Sequence, residues 1–409
     1  MLDEVVAKVE SLRDEMVSTM LELIPLGGIG PENGGEGELA KAEFLEGLLR
    51  RIGVDEIERH DARDDRVPSG VRPNIVARLR GEEHKTVWIV SHMDVVPPGD
   101  LSLWESDPFK PVVRDGRIYG RGSEDDGQGI VSSIYAVKAL LELGVKPKLT
   151  LGLALVSDEE TGNRFGISHL ISEGVFREGD LIVVPDAGNS EGTMIEVAEK
   201  GILWLRLRVE GRQTHASTPC RGLNAHRIGM ELALQLDRVF HTKFCEADPL
   251  FDPPTSTFEP TKREPNVENV NTIPGTDTLY FDCRVLPRYD LDEVVETARA
   301  LARAFESAYG ARVSVEVAAR LDAPPPTDPD SEVVRRLRKA IKIVKGVDAK
   351  PMGIGGGTCA AEFRRAGLMA AVWMTTDETA HQPNEYCRIE NLVGDAKVFA
   401  VLPLLDADA

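Results

Sequence analysis

Four short apolar runs, NIVARL, TVWIVSH, LTLGLALVS and DLIVVPDAG, mark the first half of the chain. They are rich in Val, Ile and Leu and hardly alternate, the pattern of parallel strands buried on both faces. Between two of them lies GIVSSIYAVKALLELG. Its apolar residues Ile130, Ile134, Val137 and Leu141 fall on one helical face, and Gly144 supplies a C-cap. Strand, helix and strand predict an α/β sheet with helices on its faces. Ahead of them, the first 50 residues read as two helices around LGGIGPENGGEGE, where glycines break the helical period.

The pattern changes near Lys200. ILWLRLRVEG, TDTLYFDCRVLP and ARVSVEVAAR alternate, as strands with one wet face do. Two helical stretches, RIGMELALQLDRVF and LDEVVETARALARAFESAYG, lie between them. The expectation is an α+β domain, an antiparallel sheet with two helices on one face. LDAPPPTDPDSEV then reads as a linker back, followed by a helix (VVRRLRKAIKIVKG) and another buried strand (LMAAVWMTT). The expected fold class is α/β: a mostly parallel-sheet domain made of residues 1–200 and 321–409, with residues 201–320 inserted into it.

Length agrees, since 409 residues exceed one ordinary core. Lys plus Arg number 48 and Asp plus Glu 68, a net charge of 48 − 68 = −20. Such a surface repels phosphate backbones, which argues against nucleic acid and anionic membrane as partners. No apolar run approaches the roughly 18 residues of a membrane helix. The N-terminus is acidic and periodic, unlike a signal peptide. Cys220, Cys245, Cys283, Cys359 and Cys387 form no CxxC, so neither a disulfide framework nor a thiolate zinc site is indicated. A reducing cytoplasm is expected.

In open parallel sheets, ligands bind beyond the carboxyl ends of the strands. TVWIVSH ends in His92 with Asp94 just after it. LTLGLALVS runs into Asp158, Glu159 and Glu160, and DLIVVP into Asp186. LMAAVWMTT is followed by DETAHQPNE with His381, and GRGSEDDGQG offers Asp125 and Asp126. Singly, each has a plainer explanation: a buried histidine, a solvated turn, a helix N-cap. Jointly, imidazoles and carboxylates converge on one sheet edge, a donor set suited to zinc, cobalt or manganese. The HxD spacing puts Asp94 on the same side as His92, where it fixes the ring. If Glu159 and Glu160 are extended they point apart, so that one binds metal while the other acts as general base.

SHMDVVPPGD, GRGSEDDGQGI, SDEETG, PDAG, GRQTHAS and HQPNE together resemble, in order and spacing, the dinuclear zinc aminoacyl hydrolases. That family includes acetylornithine deacetylase, succinyl-diaminopimelate desuccinylase and carboxypeptidases of the G type. The resemblance spans essentially the whole chain and implies that the insert is a lid and dimerisation domain of a homodimer. It implies two zinc ions per subunit, with cobalt or manganese as substitutes. One is held by His92, Asp125 and Asp186, the other by Asp125, Glu160 and His381. Glu159 becomes the general base, Asp94 the residue that orients His92, and the Asp125–Asp126 peptide is often cis in such proteins. Two divalent ions, three ligand carboxylates and a bridging hydroxide sum to neutrality, which predicts no further buried counter-charge.

The same resemblance assigns His215 to the partner subunit's site as an oxyanion donor. It assigns Asn271, Arg284, Gly357 and Thr358 to the substrate, the last two through main-chain N–H groups of GIGGGT. That glycine turn lacks the lysine of a phosphate-binding loop. One departure stands out. Where the desuccinylases carry an arginine, this chain has Glu362, four residues after Thr358 and beyond Cys359, itself read as a small buried residue. The expected activity is hydrolysis of the amide bond of an N-acyl amino acid or short peptide bearing a carboxylate, by a metal-bridged water with a glutamate base. The alternatives are a non-hydrolytic metal-binding protein and a nucleotide-handling α/β enzyme.

Overall fold

The computed structural model describes residues 1–406. They divide into two compact units: Met1–Val197, Pro326–Pro351 and the chain from Thr358 form the first, and Ala198–Pro325 with Met352–Gly357 the second.

The first unit is built on an eight-stranded sheet. Its order is Glu56–Arg59, Ile75–Leu79, Leu149–Val156, Glu83–His92, Leu181–Asn189, Ala370–Thr375, Met194–Glu199, Lys350–Ile354. The strands Leu149–Val156, Glu83–His92, Leu181–Asn189 and Ala370–Thr375 run parallel at its centre. These are the unalternating apolar runs, buried on both faces. NIVARL departs from expectation. It pairs antiparallel with Leu149–Val156, Ile75 opposite Leu155. Only residues 80–82 join it to Glu83–His92, far fewer than the dozen or so needed to carry a chain back for a parallel pairing.

Helices cover both faces. Gln128–Glu142 packs against Leu2–Ser11 and Ile389–Val401 and is buried nearly all round rather than along one stripe. Its Ser132 and Ser133 hydroxyls donate to the helix's own carbonyls at Gly129 and Ile130, which lets polar residues sit in that layer. On the opposite face Trp88, Phe176 and Phe363 meet edge to face beneath Ile167–Ser172 and Ala360–Arg365. The N-terminal segment holds three helices, not two, because the first breaks at Leu12.

The second unit is a four-stranded antiparallel sheet, ordered Thr257–Arg263, Thr276–Val285, Gly201–Glu210, Arg312–Leu321. Along Gly201–Glu210, Leu203, Leu205, Leu207 and Val209 are buried in a core shared with the helices Ala225–Lys243 and Leu291–Tyr309. Asn224 and Asp290 cap those helices through their side-chain oxygens. No described helix is long and apolar enough to cross a membrane.

One irregularity of the central sheet positions Asp186, an expected metal ligand. Strand Ala370–Thr375 pairs with Val184 through Val372 and then with Gly188 through Met374, so Pro185, Asp186 and Ala187 bulge out opposite Trp373 alone. Pro185 has no N–H for the ladder, which releases the strand there. Gly188 lets it rejoin, since a Cβ at 188 would lie 1.8 Å from the Met374 carbonyl oxygen. Gly188→Ala is therefore expected to lower stability by ~1–3 kcal/mol and to weaken metal binding through Asp186. Urea denaturation and a metal titration on the same variant check both effects.

Candidate metal centre

The strand Glu83–His92 delivers His92 to the edge of the sheet, 3% exposed. Its Nδ1 donates to the Asp94 main-chain carbonyl at 3.0 Å, with the Asp94 carboxylate farther off at 3.5 Å. This leaves Nε2 facing Asp125 Oδ1 at 2.8 Å and Asp186 Oδ1 at 3.6 Å. The other oxygen of Asp125 lies 2.9 Å from His381 Nε2, which is 3.1 Å from Glu160. Asp125 thus stands between two imidazoles, one oxygen to each. Donor atoms sharing a tetrahedral zinc sit roughly 3.3 Å apart by ordinary Zn–N and Zn–O lengths. The spacings of this cluster bracket that value, so the residues fit divalent cations.

The electrostatics agree. Five carboxylates, Asp94, Asp125, Glu159, Glu160 and Asp186, face two histidines. Burial, then the neighbouring Asp186, pushes the Glu159 carboxyl well above the usual carboxylate range. Hydrogen bonds to Asp125 and Glu160 raise His381 to about 10. Asp125 is held low, because the two imidazoles more than offset its burial. Such a set seeks additional positive charge.

The loops behind the cluster explain how it is held. Glu159 and Glu160 lie in a turn rather than an extended segment, contrary to the premise that separates them in the sequence. Asp158 begins that turn in the left-handed region, φ +64°, a strained choice for a non-glycine. Its carboxylate accepts from Thr161 and from the Phe165 N–H. The two glutamates still diverge: Glu160 joins His92 and Asp125, and Glu159 joins Asp186 and Cys359. Asp94 accepts the Glu159 and Glu160 N–H groups, one on each oxygen, at 3.0 Å. Its carboxylate therefore positions the Glu159–Glu160 turn, while its carbonyl orients His92. The Asp125–Asp126 peptide is cis. Asp126 turns away from the cluster, accepting the His92 and Gly129 N–H groups at the head of the helix Gln128–Glu142.

Three buried cations stand behind these carboxylates, contrary to the expectation that none is needed. Arg121 pairs with Glu385 at 2.6 Å. Arg72 pairs with Glu38 and lies 3.6 Å from Asp158. Lys41 is pushed down to about 8 by burial, with Asp94 as its strongest opposing charge. The neutral sum counts only ligands; the carboxylates that position the ligands bring their own charge.

Glu385, the last residue of HQPNE, belongs to this machinery although the sequence alone does not single it out. It accepts the Gly122, Glu124 and Asp125 N–H groups at 2.9–3.1 Å. Glu124 reaches in the opposite direction, accepting from Thr376 and Thr379.

The expected substrate residues lie mostly in the second unit. His215 is exposed on a short ribbon, its Nδ1 2.8 Å from Ser217 Oγ. Asn271 is beside it, accepting the Ala216 N–H through its carbonyl. The Arg284 guanidinium is engaged by Asp282 and donates to the Gly355 carbonyl, bracing the glycine turn that contains Gly357. Thr358 belongs to the first unit. Glu362 is paired with Arg365 and accepts from Ser168.

Comparison with known proteins follows the same lines. The model of peptidase family M20/M25/M40 matches residues 88–404. The chain belongs to that family. A metallohydrolase of Methanocaldococcus jannaschii, described as uncharacterised, is 41% identical over 403 residues, covering 95% of this chain and 98% of its own. A succinyl-diaminopimelate desuccinylase of Nitratiruptor is 28% identical, covering 91% of this chain and 94% of its own. Human carnosine dipeptidase 1 shares the fold, with a TM-score of 0.72 at 18% identity, covering 100% of this chain and 99% of its own. As a member of the M20/M25/M40 family, this chain is a metal-dependent hydrolase of peptide or acyl–amino acid bonds.

Within this family member, the clamp on the Asp125 loop is open to a direct test. Glu385→Gln keeps the shape but replaces an acceptor oxygen with a donor. Metal affinity is expected to fall ~10–100-fold, the scale for groups that orient ligands, with the fold retained. Competition against a chelating dye and far-ultraviolet circular dichroism measure the two.

Proposed function

We propose that this protein is a two-metal amidohydrolase or peptidase, with Glu159 as general base, acting on an N-acyl amino acid or short peptide that bears a carboxylate. The observation that carries this is the division within the SDEETG turn. Glu160 contacts His381, whereas the Glu159 carboxylate accepts no hydrogen bond among the described residues and stands beside Asp186.

His92, Asp125 and Asp186 would hold one cation, and Asp125, Glu160 and His381 the other, with zinc the proposed metal and cobalt or manganese its substitutes. Bound there, the pair would supply Lewis acidity to the scissile carbonyl and lower the pKa of water. Glu159 takes a proton from the attacking water on its carboxylate and passes it to the leaving nitrogen. Asp94 keeps that carboxylate in place through the turn's main chain. In this reading the second unit is a lid and dimerisation domain, and His215 donates to the developing oxyanion in the partner subunit's site. Asn271 and Arg284 hold the substrate carboxylate, and the main-chain N–H groups of Gly357 and Thr358 meet the substrate, with Arg284 also bracing the turn at Gly355. The cytoplasm is the proposed location.

Three measurements test this. Chelation is expected to abolish hydrolysis of N-acyl amino acids or dipeptides, and zinc or cobalt to restore it; full activity in metal-free protein would overturn the reading. Glu159→Ala is expected to cut kcat by at least ~10², the scale of a lost general base, with metal content unchanged. Loss of a metal ion instead would mean that Glu159 and Glu160 exchange roles. Co-expressing Glu159→Ala with His215→Ala is expected to restore about a quarter of wild-type activity, since random pairing makes half the dimers mixed, each with one intact site. Activity no higher than that of either variant alone, with mixed dimers confirmed, would place His215 in its own subunit's site.

A further inference from the structure

The assignment of Glu159 as base leaves one neighbour unused. Cys359, at the head of the helix Ala360–Arg365, is 3% exposed, and its sulfur lies 4.0 Å from Asp186 Oδ2. Ligand atoms of Glu159, Asp186 and Cys359 all lie within 4.8 Å of one another, a group separate from His92, Asp125 and Glu160. Asp186 can serve both: Oδ1 faces His92 at 3.6 Å, and Oδ2 faces the sulfur. Glu159, with no hydrogen bond to give up among the described residues, completes the trio.

The chemistry of this trio differs from that of the histidine–carboxylate cluster. A thiolate is a soft ligand, favoured by zinc, cadmium and cobalt(II) and of little value to magnesium or manganese. Around a tetrahedral zinc, sulfur and oxygen ligands sit roughly 3.6 Å apart. The observed 4.0 Å asks for only a small side-chain adjustment.

Resting on the assignment of Glu159 as base, we propose that Glu159, Asp186 and Cys359 form a third cation position, inhibitory and selective for thiophilic divalent ions such as cadmium or excess zinc. On coordination the thiol loses its proton to solvent and a sulfur–cation bond forms in its place. No oxidation or reduction occurs. The cation takes the Glu159 carboxylate, so the attacking water loses its proton acceptor. Asp186 keeps its other oxygen directed at His92, so the catalytic ions need not leave.

The test is a cadmium titration of protein loaded with its catalytic metals. Cys220 and Cys245, the two exposed cysteines, are replaced by serine throughout to remove their own cadmium binding. Ultraviolet absorbance from cadmium–thiolate charge transfer is followed alongside hydrolysis. The band is expected to grow at the same cadmium concentrations at which activity falls. In Cys359→Ser, or in Cys359→Ala should the serine variant not fold, the band is expected to be missing. The inhibiting concentration, taken relative to each protein's own uninhibited rate, rises at least ~10-fold, the smaller end of losses seen when a metal site is disturbed. Inhibition without the band, which is what displacement of the catalytic ions gives, overturns the proposal. So does a band or an inhibition midpoint that the Cys359 variants leave unchanged. Absorbance needs no substrate, so a protein that hydrolyses nothing defeats the assignment of Glu159 as base without deciding whether Cys359 takes the cation.

Discussion

Two buried carboxylates 4 Å apart repel by about 4 kcal/mol at an effective dielectric constant near 20. The first unit gathers Asp94, Asp125, Asp126, Glu159, Glu160, Asp186 and Glu385 around the ends of its central strands. Its loops take the shapes they do because several of these charges are met by donors. Asp94 accepts two N–H groups from the turn that follows Val156, Asp126 accepts those of His92 and Gly129, and Glu385 accepts three from the Gly122–Asp125 segment. Most of the donors are main-chain groups, so loop conformation and charge stabilisation are a single problem. A loop that moved would uncover an anion. Lys41, Arg72 and Arg121 add the buried positive charge that amides alone do not supply.

Much of this was legible in the sequence, for physical reasons. Unalternating Val, Ile and Leu runs mark strands with two covered faces, and they form the parallel centre of the sheet. Alternation after Lys200 marks a sheet with one covered face, and Leu203, Leu205, Leu207 and Val209 are indeed its buried side. Candidate donor types at strand ends are legible because the parallel strands send such ends to the same edge. His92, Asp125, Glu160, Asp186 and His381 all lie in the first unit, in direct contact or one residue removed from it.

What escaped the sequence depends on distant pairing or on turn geometry. NIVARL has the composition of its parallel neighbours, and only the brevity of residues 80–82 reverses it. The diverging glutamates were expected on the basis of an extended pair, yet a positive φ at Asp158 and the grip of Asp94 separate them. Glu385 and Arg121 are 264 residues apart in sequence, and no local pattern links them. Glu385 ends the HQPNE stretch, but nothing local marks its carboxylate as the acceptor of three distant N–H groups. Lys41 lies in the helix Leu39–Ile52, most of whose other charged residues face solvent, and its burial could be inferred only once the carboxylates around it were placed.

The loop from Thr376 to Glu385 carries His381 at one point and, four residues on, the carboxylate that grips the Asp125 loop; Glu124 of that second loop reaches back to Thr376 and Thr379. The two segments are cross-stitched in both directions. As a unit of inheritance they are therefore indivisible: a graft of either loop into a related scaffold would arrive without its counterpart's anchors, and both His381 and Asp125 would lose their bearings.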